Sequence, residues 1–355
     1  MHILHVVGAR PNFMKAAPVY AALATHSGIR QTLVHSGQHY DVNMSDVFFE
    51  QLGLPAPDIN LHVGSGSHAQ QTAQIISKFE TVILEQKPDY VLVYGDVNST
   101  VAAAVVCAKL LVPVAHVEAG LRSFDRAMPE EINRLLTDQI SDLLFTPSAD
   151  GNENLAREGV APERVHLVGN VMIDTLVRML PQTTSRIPAD LPSRYVLVTL
   201  HRPSNVDDAE WLGNMLRQLS EISAELPVLF PVHPRTRERL REVGVNGHNK
   251  NLNLMAPLPY LDFLALQTRA AAVITDSGGI QEETTYLGIP CLTVRENTER
   301  PVTATVGTNI LVGRSIQRVR DEVQKILSGE TKKGSIPPLW DGHASERIAS
   351  ILARS

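Results

Sequence analysis

Asp276-Ser277-Gly278-Gly279-Ile280-Gln281-Glu282-Glu283 follows the apolar run Ala271-Ala272-Val273-Ile274-Thr275 and opens a helix-like stretch that ends at Gly288-Ile289-Pro290. A strand that turns through Ser-Gly-Gly into a helix aims backbone N–H groups outward at the helix's positive end. Glycines there let a phosphate approach the backbone closely. Two carboxylates one helical turn further on suit ribose hydroxyls, so the segment points to a nucleotide or nucleotide-sugar ligand. A Gly-rich turn in a Rossmann-like domain with no such ligand looks the same in sequence.

Three other segments carry acids behind apolar runs. Gly95-Asp96 follows Tyr90–Tyr94, Glu118 follows Val114–Val117, and Met128-Pro129-Glu130-Glu131 opens a helix with proline in its first turn. Taken singly, Asp96 reads equally as the cap of a helix near Ser99, and Glu130 and Glu131 as partners of a helix dipole. Gathered at one rim, such carboxylates suit general acid–base work, because crowding and desolvation push one pKa upward. Gly8-Ala9-Arg10-Pro11-Asn12-Phe13-Met14-Lys15 is neither a dinucleotide fingerprint nor a Walker loop. Its Arg10 and Lys15 read as solvated charges or as cations facing an anionic substrate. His201-Arg202 and His233 also follow apolar runs, and a strand-end histidine is a candidate proton donor to a leaving phosphate. Arg300, in Glu299-Arg300-Pro301, suits bidentate phosphate binding. The thirteen histidines lack metal-ligand spacing, so no metal is expected.

The elements that must position these residues alternate along the chain. Strands are expected at Ile3–Val7, Thr32–His35, Tyr90–Tyr94, Val114–Val117, Leu143–Phe145 and Val165–Val168, with helices such as Gln70–Glu85, Ser99–Leu110 and Glu130–Ser141 between them. Uniformly apolar runs fit parallel strands covered on both faces, hence a doubly wound α/β domain. The polar, proline-rich stretch Pro181–Pro192 reads as a linker or surface loop. Beyond it the pattern restarts, with strands at Tyr195–Leu200, Val228–Val232, Leu252–Met255, Ala272–Thr275 and Cys291–Val294. The expected domains are residues 1–175 and 176–341, with a C-terminal helix at about 342–355 able to pack back on the first.

At 355 residues the chain suits two domains, and 43% hydrophobic with 20% charged residues is an ordinary globular composition. A net charge of −6 argues against nucleic-acid partners, which need a basic face. The two cysteines, Cys107 and Cys291, read as buried thiols of a reducing compartment. The opening residues do not read as a signal peptide, and no apolar run reaches membrane-spanning length. The expected location is the cytoplasm, away from membranes.

With these residues assembled, the chain closely resembles the non-hydrolysing UDP-N-acetylglucosamine 2-epimerases from end to end. The resemblance is carried by Gly8-Ala9-Arg10-Pro11 with Lys15, Gly37-Gln38-His39, Gly95-Asp96, His116-Val117-Glu118-Ala119-Gly120-Leu121-Arg122 and Met128–Arg134. It continues through His201-Arg202, Asp276–Glu283 and Thr298-Glu299-Arg300-Pro301. It implies a GT-B-like fold, two Rossmann-like domains with a ligand cleft between them, a homodimer and no cofactor. The implied reaction interconverts UDP-GlcNAc and UDP-ManNAc by anti elimination of UDP to a 2-acetamidoglucal and re-addition, supplying ManNAc-type sugars for surface polysaccharide. Carried over by motif, Asp96, Glu118 and Glu131 are the catalytic carboxylates and His201 helps UDP leave. Ser277, Gly278 and Gly279 hold phosphate, Glu283 the ribose and Arg300 the uridine diphosphate portion, with Arg10 and Lys15 lining the site.

Alternatives stay open at this stage. Gln38-His39-Tyr40-Asp41 is also similar to epimerases of UDP-2,3-diacetamido uronic acids. A hydrolysing epimerase, a GT-B glycosyltransferase and a nucleotide-sugar sensor are further readings. The three carboxylates speak against the sensor, since a binder has no need of negative charge beside an anionic ligand.

Overall fold

The computed structural model describes residues 1–38, 49, 51–242 and 251–354. His39, Tyr40 and Asp41, expected to distinguish sugar specificities, lie outside the described residues. The chain divides into two units, Met1–Thr175 with Pro338–Ser355, and Leu176–Pro337.

In the first unit the apolar runs form β1 (His2–Val7), β2 (Arg30–His35), β3 (Ile59–Asn60), β4 (Tyr90–Tyr94), β5 (Val114–Val117), β6 (Leu143–Thr146) and β7 (Val165–Leu167). All pair in parallel, in the order β3-β2-β1-β4-β5-β6-β7. Strand order reverses beside β1 and β4, the kind of place where open α/β sheets take ligands. The register sets Tyr94 beside Val117. Gly95-Asp96 and Glu118 therefore leave the sheet at one edge.

The helices follow from local signals. His68–Gln86 begins at Ser67, whose hydroxyl accepts the Gln70 N–H while Gln70 reaches back to the Ser67 backbone. That is the S-x-x-Q capping box. Its Ile75, Phe79, Val82 and Ile83 pack into a cluster with Val6, Val91, Val93 and Ala102–Ala104. Burying each large apolar side chain contributes roughly 1.5–3 kcal/mol. The terminal helix, expected at about 342–355, runs Ala344–Leu352 and packs on helix Arg10–Leu23. Asp174 caps it, accepting the Ala344 and Ser345 N–H groups at 3.1 and 2.6 Å.

The second unit contains β8 (Val196–Thr199), β9 (Val228–Pro231), β10 (Leu252–Met255), β11 (Ala272–Thr275), β12 (Cys291–Thr293) and β13 (Asn309–Leu311). They are parallel in the order β10-β9-β8-β11-β12-β13, with the reversal beside β8 and β11. Thr275 pairs with both Thr199 and Thr293, which brings the residues after three strands to one edge.

Two differences from the sequence expectation have physical reasons. Strands β3 and β13 are edge strands of two and three residues, too short and too mixed in polarity to show as apolar runs. Part of the Pro181–Pro192 stretch is not an open loop. Leu180–Arg186 winds into a 3₁₀ helix, started by Pro181 and packed against helix Tyr260–Gln267, with Thr183 buried. Arg186 also pairs with Asp262 at 2.8 Å.

Candidate active site

The first unit assembles its acids at the β4–β5 edge. The Gly95 N–H donates to the Val117 carbonyl at 3.0 Å, so Asp96 and Glu118 are fixed by neighbouring backbone. Arg134, on helix Pro129–Ile140, bridges Asp96 and Glu131. Its Nη1 meets Asp96 Oδ2, and its Nε and Nη2 donate to Glu131 at 3.0 and 2.6 Å. Glu131 further accepts the Ser123 N–H and hydroxyl at 2.9 and 3.0 Å and the Phe124 N–H at 2.9 Å. Burial pushes this carboxyl upward, but Ser123, Arg134 and Phe124 outweigh it and hold Glu131 below the usual carboxylate range. Glu131 is 1% exposed. The Asp96 side chain is 26% exposed, and among the described residues only Arg134 engages it.

Lys15 completes the rim. Its Nζ stands 2.5 Å from Glu118 Oε2, with side chains only 6% and 3% exposed. Glycine at position 95 makes this possible: its φ is +63°, and a Cβ there would lie 2.6 Å from Lys15 Nζ. Glu118, Lys15, Gly95, Asp96, Arg134 and Glu131 thus form one contiguous chain. Arg10 sits exposed at the start of helix Arg10–Leu23. Asp96 caps nothing, since helix Asn98–Leu110 begins at Val97 without a side-chain cap.

In the second unit, Asp276 organises the β8–β11 edge. Its buried carboxylate accepts the His201 N–H at 3.1 and 3.0 Å, the Arg202 N–H at 2.9 Å and Asn205 Nδ2 at 3.1 Å. His201 Nδ1 lies 2.8 Å from Oδ1, while the ring's side chain remains 42% exposed. Burial raises the Asp276 carboxyl, yet His201, the Arg202 amide and Asn205 outweigh it and keep Asp276 ionised. An ionised Asp276 accepts from Nδ1–H, which turns Nε2 outward.

Helix Gly278–Leu287 starts at Ser277 with no side-chain cap, so its first amides remain oriented for an anion. Ser277, Gly278 and Gly279 are half-buried at this start. Gly278 is required by packing, because a Cβ would stand 2.7 Å from Arg300 Nη1. Arg300 itself is only 8% exposed, and its Nε lies 2.8 Å from Glu282 Oε1. Glu282 is thereby engaged by Arg300, whereas buried Glu283 accepts the Tyr260 hydroxyl at 2.9 Å. Arg202, Arg295 and Arg300 surround Glu299, at 3.9, 2.7 and 2.5 Å. Their positive charge outweighs burial and holds Glu299 far below the usual carboxylate range. Arg202, Arg295 and Arg300 bring three guanidiniums to this edge, the donor type that suits a diphosphate, with Glu282, Glu299 and Asp276 as their carboxylate partners.

Sequence reasoning passed over Arg134, Asp276, Glu299 and Tyr260 as working residues. Arg134 had a local signal, three residues after Glu131 on one helix face. Asp276 had one too, as the acid directly ending a strand. The Glu299 and Tyr260 contacts are tertiary and left no such trace. Among the described residues no cluster of three or more His, Cys, Asp or Glu could hold a metal ion. Cys107 and Cys291 are buried, and burial pushes their thiols up to about 12 and about 11, so neither offers a thiolate.

The family model of UDP-N-acetylglucosamine 2-epimerase matches residues 21–353. A UDP-N-acetylglucosamine 2-epimerase of Methanocaldococcus jannaschii is 42% identical over 364 residues, covering 99% of both chains. A UDP-2,3-diacetamido-2,3-dideoxy-D-glucuronate 2-epimerase of Pseudomonas aeruginosa is 42% identical over 357 residues, covering 100% of both. The crystal structure of the M. jannaschii UDP-GlcNAc 2-epimerase in complex with UDP-GlcNAc and UDP superposes with a TM-score of 0.89 at 41% identity, covering 100% of each chain.

Proposed function

The chain belongs to the UDP-N-acetylglucosamine 2-epimerase family, and from that premise we propose that it interconverts UDP-GlcNAc and UDP-ManNAc without releasing free sugar. The observation that carries this reading is the Arg134-bridged pair of Asp96 and Glu131 beside the Lys15–Glu118 pair. A hydrogen on C2 has no adjacent ring carbonyl to acidify it. Its removal must accompany cleavage of the C1–O bond. The electrons of C2–H become the C1=C2 bond, UDP departs with the C1–O pair, and re-addition with protonation on the other face gives the epimer.

Such a route needs a base with an open lone pair and fixed charges around the anomeric carbon. Asp96 fits the first need, being the partly exposed carboxylate with one oxygen on Arg134. Glu131 fits the second, because both of its oxygens are already occupied by donors. Glu118, neutralised in part by Lys15, lies on the other side of Gly95. In the second domain His201 offers Nε2 to the leaving diphosphate. The Ser277 hydroxyl, the Gly278 and Gly279 amides and the Arg202–Arg295–Arg300 cluster hold its charge, and Glu283 holds the ribose. Arg10 supplies further positive charge from the first domain.

The reading includes residues 176–341 as the UDP-binding domain and a cytoplasmic homodimer supplying polysaccharide synthesis. Buried, unbridged thiols support a reducing compartment. No helix of the described residues is long and apolar enough to cross a membrane. The 42% identity to the P. aeruginosa protein favours one second reading, C2 epimerisation of a UDP-2,3-diacetamido uronic acid.

Proton NMR in deuterated water tests both. UDP-GlcNAc turning into UDP-ManNAc, with deuterium at C2 of both epimers and no free sugar, is the expected result. Free ManNAc with UDP would replace it by a hydrolysing reaction. Inertness toward UDP-GlcNAc with turnover of the diacetamido uronate would establish the second reading.

A further inference from the structure

His116, at the third position of β5, is fully buried and used by none of the steps above. Its Nδ1 lies 2.6 Å from Asp138 Oδ1, and its Nε2 lies 2.8 Å from the Gly95 carbonyl oxygen. A carbonyl can only accept, so Nε2 carries a hydrogen. Asp138 Oδ2 in turn accepts the Gly120 N–H at 3.1 Å and meets Arg122 Nη2 at 2.7 Å. His116 first and the Arg122 guanidinium next outweigh burial and hold the Asp138 carboxyl below its ordinary range. With the Gly120 N–H and Arg122 both on Oδ2, Asp138 faces Nδ1 as an acceptor, a contact that a hydrogen on Nδ1 would complete. Arg122 is balanced by Glu158, through bonds of 2.8 and 2.7 Å. With both ring hydrogens in place the group balances as imidazolium, carboxylate, guanidinium and carboxylate, Glu158 being its part-exposed end.

Its two ends grip the catalytic backbone. Gly95 immediately precedes Asp96, and Gly120 follows Glu118 by two residues. Glu118 holds a φ of +74°, a conformation costly for a side-chain-bearing residue. Such a conformation persists only where its surroundings over-determine it. The Glu118 and Ala119 N–H groups both donate to the Phe145 carbonyl, at 3.1 and 3.0 Å, and Asp138 fixes the next peptide.

We propose that His116, as a buried imidazolium between Asp138 and the Gly95 carbonyl, is a positioning residue that fixes Asp96 and Glu118 relative to one another. It touches no reacting atom. The inference rests on the epimerase reading for its catalytic consequence, but its protonation is observable without substrate.

The test is ¹⁵N NMR of histidine-labelled protein at neutral pH, joined to kinetics of His116→Gln and Asp138→Asn. In the unsubstituted protein both nitrogens of one ring are expected to carry slowly exchanging hydrogens, a signature absent from His116→Gln. Glutamine cannot serve both acceptors, so kcat is expected to fall on the order of 10²-fold with KM little changed, as for a small misplacement of reacting groups. C2 deuterium exchange should fall in parallel. Asp138→Asn places an amide opposite Nδ1 and should show one ring hydrogen instead of two, with a similar loss of kcat. It serves where His116→Gln does not fold. A single ring hydrogen in the unsubstituted protein, or an undiminished kcat in a folded variant, overturns the proposal. Absence of epimerisation of either UDP-sugar by the unsubstituted chain overturns the function and the positioning role, while two ring hydrogens would leave the imidazolium standing.

Discussion

Lys15 and Glu118 form a buried ion pair at 2.5 Å, with Glu118 on a left-handed backbone and Lys15 resting against Gly95. Burying two charges costs several kcal/mol per ion before their attraction returns it. The pair fixes Glu118 in place beside Gly95 and Asp96.

Gly95→Ala should break this arrangement from the outside. A methyl group would meet Lys15 Nζ at 2.6 Å, and alanine is strained at φ +63°. Loss of stability of about 1–3 kcal/mol is expected, with kcat lower by on the order of 10²-fold. Chemical denaturation and steady-state kinetics read the two effects. A variant with unaltered kcat would show that the Lys15 position is irrelevant to turnover.

Asp96→Asn and Glu131→Gln should separate chemistry from scaffolding. Asp96 is partly exposed and its carboxylate meets only Arg134 among the described residues, so its amide should cost no more than about 1 kcal/mol in stability while abolishing C2 exchange. Glu131 is saturated by donors from Ser123, Phe124 and Arg134. Its amide would aim hydrogens at hydrogens and leave the buried Arg134 with Asp96 as its one remaining carboxylate, a cost of about 3 kcal/mol. Equal stability losses in the two variants would contradict the division of labour drawn from the geometry.

The same contrast shows what the sequence could carry. The strands Tyr90–Tyr94 and Ala272–Thr275 were legible because a run of apolar residues is a local property. The acids at their ends were legible for the same reason. Which acid is saturated was not, because Glu131 takes two of its donors from Ser123 and Phe124, eight and seven residues away across a turn. The link from Asp276 to His201 spans 75 residues, and that from His116 to Gly95 passes between two strands. Strands β3 and β13 escaped because edge pairing demands little apolar sequence.

Asp276→Asn tests the second domain. Asparagine can still accept the Arg202 amide through its oxygen, but its amide nitrogen would donate toward His201 Nδ1. The ring would then lose the acceptor that holds Nδ1–H and sets Nε2 outward. A kcat lower by roughly 10²- to 10⁴-fold is expected, in line with other aspartate-to-asparagine changes behind a working histidine. UDP affinity, measured by calorimetry, should change much less, because Ser277–Gly279 and the arginines are untouched. A loss confined to UDP binding would make Asp276 a scaffold for the phosphate turn and remove His201 from proton transfer.

Stability should fall with acid at a buried histidine. His5 is fully buried, with Nε2 2.9 Å from Gln31 Oε1 and Nδ1 2.6 Å from the Tyr94 hydroxyl. This arrangement suits a neutral ring, and burial pushes its pKa down to about 4. Above pH 6.5 the folded and unfolded chains bind the same proton count at this site, so it is silent. Between 6.5 and about 4 the unfolded chain takes up a proton that the folded one refuses, and stability is lost as pH falls. The full loss is on the order of 3 kcal/mol, of which about 2 kcal/mol appears between pH 7 and pH 5. His35, pushed down to about 4 chiefly by burial, acts in the same direction. Glu131 and Asp276, both held below their ordinary values, add their own loss only at lower pH. Urea denaturation at pH 7 and pH 5 should therefore show a smaller acid loss in His5→Gln than in the unsubstituted protein, by about 2 kcal/mol. Equal losses in the two would mean that His5 accepts its proton in the folded state, and that the Tyr94–His5–Gln31 contacts rearrange to allow it.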